Sequence, residues 1–123
     1  MSMSLRQKHL EVRDVGDITV VLFIGRTILD NQIVQAIGEK LFSLVDELDR
    51  RKIIINLTNV KCLSSAAFGK LISLQKKIVA ANGKLMLCNV DKHVSEVFET
   101  LHINRLFNIV EEEQEAMKVM QSF

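Results

Sequence analysis

The sequence predicts an α/β fold: one domain over residues 1–123, a small, mostly parallel mixed sheet carrying amphipathic helices, in the order ββαβαβαβα. Three observations support this. Ile53-Ile54-Ile55 and Leu85-Met86-Leu87-Cys88 are unbroken apolar runs, as in strands covered on both faces. Apolar residues recur at helical spacing between and after them. Strands separated by helices need crossovers, which run right-handed and leave neighbouring strands parallel. A chain of 123 residues, 48% hydrophobic and 25% charged, suits one compact core, and no proline, Gly/Ser linker or repeat interrupts it.

The elements follow in order. Leu10-Glu11-Val12-Arg13-Asp14-Val15 alternates apolar and polar, Gly16-Asp17 turns, and residues 18–24 are a run rich in β-branched side chains, which together read as an opening hairpin. Asp30 or Asn31 can cap a helix whose stripe is Ile33, Ile37, Leu41, Leu44, Val45 and Leu48. Ile53 to Leu57 reads as the central strand. A second helix starts near Ser64-Ser65, with Ala67, Leu71, Leu74, Ile78 and Ala81 inward and Asn82-Gly83 as its left-handed stop. After the strand 85–88, Asp91 caps a helix with Val94, Val97, Phe98 and Leu101 inward; residues 107–110 form a last strand, and residues 111–120 a last helix. Glu111, Glu112, Glu113 and Glu115 suit the positive end of that helix dipole, a simpler account than metal binding.

Composition excludes several functions. Sixteen basic residues against fifteen acidic give a net charge of +1, so no long-range field recruits nucleic acid, and Trp and Tyr, the stacking rings of single-strand binders, are absent. The longest apolar run, residues 20–24, is too short for a bilayer, so no membrane association is expected. The polar residues among the first ten do not suit a signal peptide, which points to a cytoplasmic location. Cys62 and Cys88 lie beside apolar residues, outside any CxxC pair, and read as buried thiols. His9, His93 and His102 fall in separate elements, so no metal site is expected.

In an open α/β sheet, function gathers where strand C-termini meet helix N-termini. That edge collects Asp30, Asn31, Lys61, Cys62, Ser64, Ser65, Asn89 and Asp91. No phosphate-cradling glycine loop or nucleophile elbow occurs, so neither a catalytic residue nor a cofactor is assigned and the chain does not read as an enzyme. The informative stretch is Leu63-Ser64-Ser65-Ala66-Ala67-Phe68-Gly69. Ser64 can act simply as a helix cap, the commoner role of such a serine. It can also be a phosphorylation switch, because free amides and the dipole at a helix start accommodate a phosphate.

At this stretch the sequence resembles the STAS domain, the family of bacterial anti-sigma factor antagonists. Residues 53–57 followed by Thr58-Asn59-Val60-Lys61-Cys62-Leu63-Ser64-Ser65-Ala66 are similar to the family's strand, loop and DSSG signature. Leu71 and Gly83-Lys84-Leu85 resemble its continuation, and Val94, Phe98, Leu101, Phe107, Ile109 and residues 113–116 resemble its tail. Leu63 stands where the signature has Asp, Ala66 where it has Gly, and no Gly occurs near His102. The approach to the first helix, residues 25–30, matches only with two residues inserted, and Asp30 is expected beside Ser64, standing in for the missing carboxylate.

The resemblance implies a protein that captures an anti-sigma factor, itself a GHKL-type serine kinase, and is switched off when Ser64 is phosphorylated, with Ser65 as the second choice. A PP2C-type phosphatase would reverse the switch. The expected contact surface is Asp30, Asn31, Lys61, Ser64, Ser65, Ala66, Lys70 and Asn89, and a homodimer stays open. Lys70, Lys76 and Lys77 give the second helix a basic face, either for an acidic partner or simply solvated. The alternative, suggested by Leu63, is a STAS scaffold or sensor module that assembles with other STAS proteins or binds a small ligand, with Ser64 only capping.

Overall fold

The computed structural model describes residues 3–6 and 9–123. One six-stranded sheet has the order β1-β2-β3-β5-β7-β8, formed by Met3–Arg6, Leu10–Val15, Ile18–Phe23, Lys52–Asn56, Lys84–Cys88 and Asn108–Val110. The first two pairings are antiparallel and the other three parallel. A separate two-stranded pair joins β4 (Thr27–Ile28) to β6 (Cys62–Leu63). Four helices complete the fold: α1 (Asn31–Asp46), α2 (Ser65–Ala80), α3 (Lys92–Thr100) and α4 (Glu113–Gln121), with a 3-10 turn at Asn104–Leu106.

The fold class agrees with expectation, and β5 is central as read. Three further strands were not legible. β1 is a four-residue edge strand paired along the main chain to β2, with no apolar run of its own. β4 and β6 have two residues each, too short for any periodicity.

The run Ile53-Ile54-Ile55 is fully buried because helices cover both sheet faces. Ile53 and Ile55 join Val21, Leu85 and Leu87 beneath α1, α2 and α3, while Ile54 joins Val20, Met86 and Cys88 beneath Ala116 and Met120 of α4. Strand alternation makes the division, and each large side chain so buried contributes about 1.5–3 kcal/mol before entropy is subtracted. Phe98 links α2 to the strand edge through edge-on contacts with Phe68 and Phe107, centroids 5.0 and 5.4 Å apart.

Several local expectations are corrected. Leu48 lies in the turn after α1 and is 56% exposed. α3, only nine residues long, buries just Val94 and Phe98, leaving Val97 and Leu101 exposed. Ala81 is half-buried rather than core. The left-handed residue after α2 is Asn82, at φ 63°, whereas Gly83 is needed for closeness: a Cβ there would lie 2.4 Å from the Arg51 carbonyl oxygen. The final helix starts at Glu113, not Glu111.

Candidate functional site

The site is built by the β4–β6 pair. Ile28 and Leu63, both buried, anchor the two segments in the core, and the Lys61 and Ser64 amides donate to the Arg26 and Ile28 carbonyls at 2.8 and 3.0 Å. The starts of α1 and α2 are thereby held side by side. The Asp30 carboxylate accepts from the Gln32 and Ile33 amides at 2.8 and 3.2 Å, so Asp30 is the cap and exposed Asn31 the first helical residue. Asp30 is committed to α1, and no bond joins it to Ser64 among the described residues.

Ser64 caps α2. Its hydroxyl oxygen accepts from the Ala67 amide at 3.1 Å, its backbone is extended, and the residue is half-buried. Beyond it Ser65, Ala66 and Gly69 are all exposed and share one face of the first turns, a surface with no side chain larger than a hydroxymethyl. Cys62, read as part of this edge, and Gly69, at the end of the informative stretch, fall outside the expected contact surface, yet both are exposed. Cys62 is exposed, contrary to expectation, because in β6 it is Leu63 that takes the inward position.

Lys61 leads toward α3. Its ammonium lies 2.9 Å from Asp91 Oδ1, while Asp91 Oδ2 accepts from the His93 amide at 3.0 Å. The Lys61 hydrogen bond first, and then the His93 amide, hold the Asp91 carboxyl below its ordinary value. Asn89 sits behind this rim, half-buried in a left-handed conformation at φ 54°, with its amide donating to the Glu111 carbonyl. Lys70 is turned toward α1: its stem packs on Gly38, where an added Cβ would come within 2.7 Å, and its amine lies 5.7 Å from the Phe42 ring centroid. Lys77 also stacks on Phe42 and pairs with Asp46 at 2.9 Å, leaving exposed Lys76 to face solvent. The basic face of α2 is therefore largely absorbed by α1.

The opposite sheet face holds a polar cluster. Glu113 pairs with Arg13 at 2.5 Å and accepts from the Asn56 side-chain amide at 3.1 Å. Burial, aided by the Glu113 charge, pushes the Cys88 thiol up to about 12, so it stays protonated at neutral pH. Among the described residues no group of three or more His, Cys, Asp or Glu side chains is placed to hold a metal ion, and no helix is long and apolar enough to cross a membrane.

Residues 9–116 match the STAS domain, and the chain belongs to that family. Its fold is that of several solved structures. A Thermotoga maritima protein assigned as an anti-sigma factor antagonist is 20% identical, with a TM-score of 0.80 over 93% of this chain and 96% of that one. An anti-sigma-factor antagonist (STAS) domain protein from Planctomyces limnophilus is 23% identical, with a TM-score of 0.79 over 91% and 97%. The Bacillus cell fate determinant SpoIIAA, in its phosphorylated form, is 20% identical, with a TM-score of 0.70 over 89% and 98%. At these identities the likeness concerns the fold.

Proposed function

We propose that this chain is a regulatory docking module of the anti-sigma factor antagonist kind. Unphosphorylated, it captures an anti-sigma factor that is also a GHKL-type serine kinase; phosphate on Ser64, or second on Ser65, ends the capture, and a PP2C-type phosphatase restores it. The observation that carries this reading is the Ser64 hydroxyl, at the start of α2 beside the exposed, small-residue face of Ser65, Ala66 and Gly69. A flat face lets a partner's backbone approach closely. A phosphate there would add about −1.5 to −2 charges within the contact, favoured by the helix start but opposed by an interface that must desolvate it. Asp30, Asn31 and Lys61 extend the surface, with Lys70 and Asn89 at its margins. The work is done by binding, with no reaction of the chain's own.

A second reading, a STAS scaffold or sensor that is never phosphorylated, is favoured by Leu63, which is buried where the signature carries an acid. Incubation with ATP and a GHKL-type serine kinase that the chain binds, followed by phosphate mapping, separates the two. Transfer that disappears in Ser64→Ala supports the switch. Binding without transfer supports the scaffold, and transfer surviving in Ser64→Ala but lost in Ser65→Ala moves the site by one residue.

A further inference from the structure

Away from the α2 start, a groove of about 340 Å³ runs between α1 and the beginning of β2. Leu10, Ile33, Ala36 and Ile37 make its apolar lining, Gln32 and Lys40 lie along it on α1, and His9 closes the strand side. From Gln32 to Lys40 is two turns of α1, about 12 Å. Among the described residues no carboxylate lines it. Lys40 forms no ion pair among the described residues, whereas Lys52, Lys61 and Lys77 are each paired. An apolar trough with an uncompensated ammonium on its wall is complementary to a molecule with an alkyl body and one negative charge, and its volume is that of small-molecule sites.

We propose that this groove binds a small amphiphilic carboxylate, with the alkyl chain along Leu10, Ile33, Ala36 and Ile37 and the carboxylate at Lys40. Ammonium and carboxylate supply orientation; the affinity comes from the chain, because each methylene removed from water tightens binding about fourfold. The site is independent of Ser64, and its occupancy is read without any phosphate transfer.

The test is titration of the full chain with hexanoate, octanoate and decanoate, followed by calorimetry and backbone amide shifts. The expected result is saturable 1:1 binding, shifts centred on Leu10, Ile33, Ala36, Ile37 and Lys40, and a gain of about fifteenfold for each added pair of methylenes. Lys40→Gln weakens octanoate about two- to fivefold and leaves octanol unchanged. Ala36→Phe, at an exposed helical position, abolishes binding of both; Ala36→Leu serves if the larger ring disturbs folding. Absence of saturable binding, octylammonium binding as tightly as octanoate, shifts centred elsewhere, or association only with phosphatidylglycerol vesicles would each overturn the proposal.

Discussion

The Ser64 amide donates to the Ile28 carbonyl at 3.0 Å, so the start of α2 is positioned by a strand from a distant part of the chain. The residue before it, Leu63, pairs with Ile28 in the same ladder and turns its side chain into the core, 8% exposed. This makes a simple return to the family signature costly. Leu63→Asp removes a buried leucine and puts a carboxylate in its place, and is expected to destabilise the fold by about 3 kcal/mol or more. That is a large share of the roughly 5–15 kcal/mol typical of a domain. A urea midpoint left unchanged in the variant would show that Leu63 does not serve as core.

Ser64 and Ser65 are separable by stability alone. Ser64→Ala loses the acceptor of the Ala67 amide and is expected to cost about 1 kcal/mol, the usual worth of an N-cap. Ser65→Ala, an exposed first-turn position with no side-chain hydrogen bond among the described residues, should change stability by less than about 0.5 kcal/mol. Equal losses measured by denaturant titration would contradict the capping geometry. A cap loss this modest leaves Ser64→Ala folded, so the phosphate-mapping experiment remains readable.

The central strand and α2 could be read directly from the chain, since Ile53-Ile54-Ile55 and the Leu71, Leu74, Ile78 spacing are imposed by burial itself. Asp30, Ser64 and Asp91 were likewise foreseeable as caps, because a short oxygen-bearing side chain before an apolar stripe has few other uses. The β4–β6 ladder was not foreseeable: two residues on each side leave no pattern, and their pairing joins segments far apart in sequence. The orientation of Lys70 and Lys77 escaped for a related reason. Helical spacing puts both on one face of α2 but does not reveal that Phe42 and Asp46 of α1 lie opposite. Leu101 shows the converse error, apolar at a helical interval yet placed just past the last helical residue and 49% exposed.

His102 follows the last turn of α3 with φ 59°, a left-handed conformation unfavourable for a side chain with a Cβ. The family resemblance places a glycine near this position. His102→Gly should therefore be stabilising, by up to about 1 kcal/mol once the greater freedom of glycine in the unfolded chain is subtracted. His102→Ala keeps the strain and should gain nothing. Melting temperatures of the two variants check this directly, and a lower melting point for the glycine variant would mean that the imidazole makes a contribution exceeding the backbone strain.

Asp91 provides the pH test. Its carboxyl is held below its ordinary value of about 3.9 by Lys61 and by the His93 amide, so the native state favours the ionised form more than the unfolded chain does. The resulting stabilisation is complete above the unfolded value and fades as pH falls through the lower, folded one. Asp91→Asn keeps an oxygen to accept from the His93 amide but removes the charge that pairs with Lys61. The stability difference between parent and variant should be level from pH 7 to about pH 5, then shrink below about pH 4, and it should also shrink with added salt at neutral pH because Lys61 is exposed. A difference unchanged at pH 3 would show that it does not arise from the Asp91 charge, and the Lys61 tether between the Ser64 loop and α3 would then contribute position without measurable stability.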